Sequence, residues 1–173
     1  MEFDTKRLEV KKFIPEYISV LYSTLVNRDV LKYVEDINPG WNLEEFTEYI
    51  IDLYQDQDYQ RSLIKLKENN KIIGSILLFR EDKRSKSIKI LLDADYWNKG
   101  YGKEALAGAT EFLKAEGIGS IYATCDSRNM GARKILDSNK YENIDSIPEF
   151  SKDVDGNIGD ELLYELEIIR VSY

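Results

Sequence analysis

A strand, a glycine-containing loop and a helix follow one another in the middle of this sequence. The apolar run Ile88–Leu92 is typical of a strand, residues 97–103 read Trp-Asn-Lys-Gly-Tyr-Gly-Lys, and a helical pattern begins at Glu104. The first amides of a helix have no intrahelical partner and lie at the positive end of the helix dipole. Glycines let the backbone turn tightly and come close to a phosphate. The segment therefore predicts a phosphate-binding site, to which Lys103 adds positive charge.

Two other phosphate-binding motifs compete with this interpretation. Gly100–Ala105 fits the dinucleotide fingerprint G-x-G-x-x-A, but Asp93–Lys99 separate its first glycine from the strand. The strands expected before the loop are also antiparallel, whereas the fingerprint normally opens a parallel sheet. A Walker loop requires Ser or Thr after its lysine, and this chain has Glu104 there. A dinucleotide-binding oxidoreductase is therefore a disfavoured alternative.

Composition limits the chemistry and the partners of the chain. The sequence contains no histidine, which excludes a Ser-His-Asp triad and histidine-ligated zinc, and we expect no metal cofactor. The formal net charge of −8 argues against nonspecific binding to nucleic acid, which needs a basic surface. The same charge favours cationic small molecules or basic peptides as partners.

The chain is expected to be one cytoplasmic domain that spans residues 1–173. No apolar stretch approaches the roughly 20 residues that a membrane span requires, and the first residues are acidic, unlike a signal peptide. The one cysteine, Cys125, rules out an internal disulfide and is expected to be a packed residue. We expect a monomer or a homodimer.

Periodicity and turn residues predict an α/β (α+β) fold with a mixed, mostly antiparallel sheet of about seven strands and about four helices. Asn42 and Glu45 form the pattern of a capping box at the start of one helix. The predicted elements, in chain order, are a strand at 7–13, a helix after Pro15, a short helical piece at 29–34, a helix after Asn42, strands at 61–67, 72–79 and 88–92, a helix at 100–116, a strand at 120–126, a helix at 127–138, and an antiparallel pair at 141–150 and 161–170.

This order of elements, with two motifs, resembles the GNAT superfamily of N-acetyltransferases. It is most similar to the branch of ribosomal-protein N-terminal acetyltransferases and their small-molecule relatives. The central motif of that branch, Tyr-Trp-Gly-Lys-Gly-Tyr-Ala, is similar to residues 96–102, which read Tyr-Trp-Asn-Lys-Gly-Tyr-Gly. The downstream motif, Asn-x-x-Ser-x-Arg-Val-Leu-Glu, is matched at Asn129, Ile135 and Leu136, with Lys134 at the Arg position. The resemblance covers nearly the whole chain.

The resemblance implies acetyl-CoA as cosubstrate. Its pyrophosphate is expected to lie against the amides at the helix N-terminus, from Asn98, Lys99, Gly100, Tyr101, Gly102 and Lys103. The strands at 88–92 and 120–126 are expected to splay, so that pantetheine pairs with free backbone groups of Leu91 and Leu92. Asn129 is expected to contact the pantetheine arm and Lys134 the nucleotide. Asn129 would equally suit a helix cap, and Lys134 an exposed surface position.

The implied reaction is direct attack of an amine on the thioester within a ternary complex. The acceptor is a small cationic molecule or a peptide N-terminus, bound by the N-terminal helices and the 141–170 pair. Residues common at catalytic positions of the family are absent, because Leu136 replaces a Tyr, Ala132 a Ser and Ser87 a Glu. The catalytic residues are therefore unassigned, with Tyr96, Asp93 and Asp95 as donors to test. A CoA-binding module without activity is the alternative.

Overall fold

The computed structural model describes residues 1–168. Within that range, one sheet of eight strands is flanked by four α-helices. The elements are β1 (Phe3–Asp4), β2 (Leu8–Lys12), α1 (Ile18–Leu25), α2 (Leu43–Gln55), β3 (Tyr59–Leu66), β4 (Ile72–Arg80), β5 (Ser85–Leu92), α3 (Tyr101–Ala115), β6 (Ser120–Asp126), α4 (Met130–Ser138), β7 (Glu142–Lys152) and β8 (Ile158–Glu167). No helix among these residues is long and apolar enough to cross a bilayer.

The predicted mixed sheet is confirmed, with one strand more than expected. The strand order is β1-β2-β3-β4-β5-β6-β8-β7, and every neighbouring pair is antiparallel except β5 with β6. The additional strand is β1, which is only two residues long and therefore too short to show an alternating pattern in the sequence. The helical piece expected at 29–34 is a series of turns. Of the last predicted strand, residues 169 and 170 lie outside the described range.

The sheet separates two apolar clusters because successive residues of a strand point to opposite faces. On β5, Leu92 belongs to the cluster under α3 and α4, and Leu91 belongs to the cluster under α1 and α2. Phe46 and Ile50 of α2 are buried in the second cluster. Each residue of β5 is therefore assigned to one side of the sheet, and this assignment places the functional groups described below.

The start of α2 shows the predicted capping box. The Asn42 side chain accepts hydrogen bonds from the Glu44 and Glu45 amides at 2.9 and 3.0 Å, and Glu45 Oε2 accepts one from the Asn42 amide at 2.8 Å. These bonds satisfy amides that a helix leaves without partners. The position of α2 along the chain was therefore predictable from local residues.

Candidate functional site

A gap opens between β5 and β6. The two strands pair in parallel only from Ser85–Ser120 to Ser87–Tyr122. Beyond these pairs β5 continues beside β4, and β6 continues beside β8, so the last residues of β5 and β6 have no strand partner across the gap. We call this wedge, from Ile88–Leu92 to Ala123–Asp126, the β5–β6 gap. The expected splaying of the two strands is therefore present.

The backbone of β5 offers alternate residues to the gap. The Asp93 amide donates to the Ile73 carbonyl at 2.8 Å. Backbone groups of alternate residues point the same way along an antiparallel ladder, so the amide and carbonyl of Leu91 also face β4. A Cβ placed on Gly74 would lie 2.2 Å from the Leu91 carbonyl oxygen, which confirms that this carbonyl faces β4. The free groups predicted on Leu91 and Leu92 therefore belong to Ile90 and Leu92.

Trp97 fixes the loop at the open end of the gap. Its indole Nε1 donates to the Leu92 carbonyl at 2.9 Å, so of the Leu92 backbone groups only the amide is left for a ligand. The Lys99 Nζ donates to the Asp95 carbonyl at 2.8 Å and lies over the Tyr96 ring. These bonds hold residues 93–99 against the end of β5, and the sequence motif gave no sign of the Trp97 bond.

The N-terminus of α3 begins directly after this loop. Gly100 has φ +81°, and Asn98 has φ +57°, a region that asparagine tolerates better than most residues. The Glu104 amide donates to the Gly100 carbonyl at 3.1 Å, which leaves the amides of Tyr101, Gly102 and Lys103 without intrahelical acceptors. The predicted cluster of free amides therefore exists at the mouth of the β5–β6 gap.

Arg7 clamps this loop, and sequence reasoning missed it. Its Nη1 donates to the Lys99 carbonyl at 2.9 Å, and its guanidinium carbon lies 4.3 Å from the centroid of the Tyr101 ring. Its Nε donates to Glu104 Oε2 at 2.6 Å, and its amide donates to Oε1 at 2.7 Å. Burial alone would raise the pKa of Glu104, but hydrogen bonds from Thr5 and Arg7 lower it. Arg7 thus pairs with the Glu104 carboxylate and ties the first turn of α3 to the loop that precedes it.

Gly102 has a packing role. A Cβ at this position would lie 2.6 Å from Ile135 Cδ1 and 3.4 Å from Leu92 Cδ1. A side chain there would displace the end of the Ile135 side chain, which packs between α3 and α4. Gly102 therefore fixes how closely the helix N-terminus approaches the gap, in addition to supplying a free amide.

The structure places Asn129 and Lys134 beside the far wall of the gap. The Asn129 side chain accepts a hydrogen bond from the Ala132 amide at 3.1 Å, so it caps α4. Lys134 is exposed on the same helix. These arrangements are the alternatives that the sequence left open, and contacts of both residues with a cosubstrate stay predictions.

A polar cluster lies on the opposite face of the sheet, under α1 and α2. Lys89 Nζ of β5 contacts Asp36 Oδ1 at 3.1 Å, and the Tyr49 hydroxyl donates to Asp36 Oδ2 at 2.8 Å. Burial alone would raise the pKa of Asp36, but the charge of Lys89 and both hydrogen bonds lower it. Asp36 is therefore an anion on the face of the sheet that α1 and α2 cover.

Carboxylates of β8 also point to that face. Leu162, Tyr164 and Leu166 face the α3 side, so alternation directs Glu161 and Glu165 toward the α1 side. The turn between β7 and β8 closes this wall, because the Lys152 amide donates to Glu35 Oε1 at 2.7 Å and the Val154 amide donates to the Lys32 carbonyl at 2.8 Å. The last hairpin therefore lies against the segment that joins α1 to α2, and the binding of an acceptor by these parts stays a prediction.

The positions expected to be catalytic carry little acid–base chemistry. Leu136 is buried with 5% exposure. Cys125, which was predicted to be a packed residue, is no candidate nucleophile, because burial raises the pKa of its thiol to about 11. Ser87 Oγ donates to Glu81 Oε1 at 2.5 Å, which places a carboxylate where β5 and β6 begin to separate. Asp93 accepts a hydrogen bond from the Asp95 amide in the loop. Glu81 is therefore an additional candidate base, which the sequence did not reveal.

Comparison with known proteins agrees with this geometry. The family model of the acetyltransferase (GNAT) domain matches residues 7–142. A search of curated proteins found no match.

Solved structures share the whole architecture at low identity. A GNAT-family acetyltransferase from Bacillus anthracis has a TM-score of 0.83 and 18% identity over 96% of this chain and 98% of that chain. A ribosomal L7/L12 alpha-N-protein acetyltransferase in complex with coenzyme A has a TM-score of 0.83 and 17% identity over 95% and 96%. The spermidine N-acetyltransferase of Vibrio cholerae, in complex with CoA and spermine, has a TM-score of 0.82 and 15% identity over 94% and 96%.

At these identities the structural likeness establishes the fold, and the family follows from the sequence match. That match spans β2 to the start of β7 and includes the β5–β6 gap and the helix N-terminus beside it. The chain therefore belongs to the GNAT family of acetyltransferases.

Proposed function

We propose that this protein transfers an acetyl group from acetyl-CoA to a primary amine, either a small cationic molecule or a peptide N-terminus. The observation that carries the proposal is the β5–β6 gap, which ends at the three free amides of α3. A gap between strands accepts an extended chain that bears amides, and a helix N-terminus accepts phosphate. Few ligands other than CoA join these two chemical groups in one molecule.

The residues present fit this cosubstrate. The amides of Tyr101, Gly102 and Lys103 would hold the pyrophosphate, with Asn98, Lys99 and Gly100 shaping the loop around it. Leu92 and Ile90 would offer backbone groups to the pantetheine amides, in place of the Leu91 groups expected from the sequence. Asn129 would border the arm, and Lys134 would lie toward the nucleotide. Acetyl-CoA supplies an activated acyl thioester when it is bound.

The chain itself would contribute mainly positioning. The β5–β6 gap fixes the acyl donor from one side, and the face under α1 and α2 presents the acceptor from the other. Holding two reactants in line can lower a barrier by several kcal/mol. The pyrophosphate end of CoA would lie beyond Leu92, so the acyl end would reach deeper into the gap, where the Ile90 amide would stabilise negative charge that develops on the carbonyl oxygen. The amine forms the new C–N bond as the C–S bond breaks, and the amine proton must leave through a base, for which Glu81 is the candidate.

The acceptor side supports a cationic amine. Asp36, Glu161 and Glu165 face it, and the chain has a formal net charge of −8. The spermidine and ribosomal-protein enzymes named above act on amines of these two kinds, which supports both acceptor classes. We infer that the acceptor ammonium replaces Lys89 as the partner of Asp36, because Lys89 is the cation now closest to that carboxylate.

A thermal-unfolding comparison of CoA, acetyl-CoA and NAD tests the binding half of the proposal. A ligand at 100 times its Kd stabilises a protein by about 2.7 kcal/mol. For a chain of this length that corresponds to a shift of roughly 5–10 °C. A shift with CoA and not with NAD is expected, and no shift with CoA would overturn the proposal.

Release of CoA thiol in the presence of amines tests the catalytic half. Spermidine and a short peptide with a free N-terminus represent the two acceptor classes, and the same peptide with an acetylated N-terminus is the matched control. Thiol release that requires the free amine is expected. CoA binding without release for any amine would instead support the inactive module, which the Leu136 and Ala132 positions favour.

A further inference from the structure

A second cavity lies away from the β5–β6 gap, at the C-terminal end of α2. It has a volume of about 440 Å³ and lies between α2, the end of β2 and the start of β3. Its apolar walls are Phe13, Ile50, Tyr54 and Tyr59, and Arg61 also lines it. No residue of β5, β6 or α3 contributes to its lining. The cavity, which we call the Arg61 cavity, therefore lies outside the β5–β6 gap, on the same face of the sheet as Asp36.

Arg61 is an unusual component of this wall. The residue is only 5% exposed, and its Nη1 donates to Ser75 Oγ at 3.1 Å while its Nη2 donates to the Tyr59 hydroxyl. Its Nε is buried and has no hydrogen-bond partner. Among residues 1–168, no carboxylate lies within ion-pair distance of Arg61. Its side-chain partners are therefore two hydroxyl groups and the ring of Tyr59, whose centroid lies 5.6 Å from the guanidinium carbon.

The charge of Arg61 is not neutralised by its neighbours. Arginine cannot lose its proton in proteins, so the guanidinium stays cationic when it is buried. Burial raises the pKa of Tyr59 to about 12, so Tyr59 is a neutral phenol and does not act as a counter-ion. An unpaired buried charge costs several kcal/mol, and natural proteins rarely retain one without a partner.

The lining indicates the charge of the missing partner. Besides Arg61, the charged side chains around the cavity are Lys12 and Asp56, whose charges cancel. The amino group of Met1, whose pKa is lowered by burial, also lines the cavity, so the lining is net positive and favours an anionic ligand. The guanidinium also offers a planar fork that fits a carboxylate. The apolar walls require that the rest of the ligand be largely hydrocarbon.

We propose that the Arg61 cavity binds a small carboxylate ligand with an apolar body. The carboxylate accepts hydrogen bonds from the part of the Arg61 guanidinium that lines the cavity. The apolar body packs against Phe13, Ile50 and Tyr54. This site goes beyond acetyl transfer, and it does not depend on whether CoA binds.

Benzoate is a suitable probe, because benzamide has the same shape without the charge. Isothermal titration measures the affinity for benzoate in the presence of saturating CoA, which occupies the β5–β6 gap. If CoA does not bind, the titration is made in buffer alone. We expect benzoate to bind at least 10-fold more tightly than benzamide, and Arg61→Gln to remove the difference. Arg80→Gln, which changes an exposed arginine on the neighbouring strand, is the matched control and should leave benzoate affinity unchanged.

A second pair of variants keeps the test valid if Arg61→Gln does not fold. Gln57 is an exposed residue of the cavity lining. Gln57→Glu should weaken benzoate binding, and Gln57→Lys should strengthen it, each by several-fold. Equal affinity for benzoate and benzamide, tighter binding of inorganic phosphate than of benzoate, or no response to the Gln57 charge would overturn the proposal.

Discussion

Replacing Gly100 by alanine separates backbone strain from ligand binding at the mouth of the β5–β6 gap. Gly100 has φ +81°, and a Cβ there would lie 3.2 Å from Nη2 of Arg7. A left-handed conformation costs an L-residue about 1–2 kcal/mol. The Arg7 contact adds little, because it involves the end of a flexible side chain. We expect Gly100→Ala to lower the free energy of unfolding by about that amount. The Tm should fall by roughly 2–4 °C for each kcal/mol lost.

Gly156 provides the matched control. It has φ +83° in the β7–β8 turn, and a Cβ there would meet only Lys152 Cε, at 3.6 Å. Gly156→Ala should therefore lose a similar amount of stability. Only Gly100→Ala should weaken CoA binding, because relief of its strain rotates the peptide groups that precede the free amides of α3.

The expected loss of CoA affinity is at least 10-fold, which corresponds to about 1.4 kcal/mol. Isothermal titration with CoA measures it, and thermal unfolding of each free protein measures the strain. If both variants lose CoA affinity equally, the effect is general destabilisation and the reasoning fails. If Gly100→Ala loses stability but binds CoA normally, the loop does not hold the pyrophosphate.

Three further perturbations test separate parts of the structure. Arg7→Gln removes the clamp on the Lys99 carbonyl and should raise the KM for acetyl-CoA by about 10-fold, with little change in kcat, in steady-state thiol-release assays. Asn42→Ala removes the capping box and should cost about 1 kcal/mol in urea unfolding without altering CoA affinity. Burial alone would raise the pKa of Asp126, but hydrogen bonds from Arg128 and Ser151 lower it to about 2. The resulting stability is complete above about pH 4 and is lost as the pH falls toward 2. The midpoint of urea unfolding should therefore depend less on pH in this range for Asp126→Asn than for the unchanged protein.

The elements that local residues determine were predictable from the sequence. The capping box at Asn42, the strand at 120–126 and the helix after Gly100 depend on residues within a few positions of each other. The splaying of β5 from β6 came from the family resemblance, because no residue pattern marks where a parallel pair ends.

The contacts that complete the candidate site were not predictable in the same way. Arg7 and Lys99 are 92 positions apart, and a lone arginine in the bend between β1 and β2 gives no sign of its partner. The backbone alternation that turns Leu91 toward β4 depends on the register of two strands, which a single sequence does not define. The unpaired charge of Arg61 likewise exists only because α2 covers that part of the sheet.

The two tryptophans of the chain provide an optical readout of both halves of the proposed site. Trp97 ends at the Leu92 carbonyl beside the β5–β6 gap, and Trp41 contacts the ring of Tyr49, the partner of Asp36. Indole emission responds to polarity and to nearby quenching groups, so each tryptophan reports on one substrate. Trp41→Phe would leave a single emitter beside the acyl donor, and Trp97→Phe one beside the acceptor. Stopped-flow traces of the two proteins would then give the order in which the two substrates bind, without any added label.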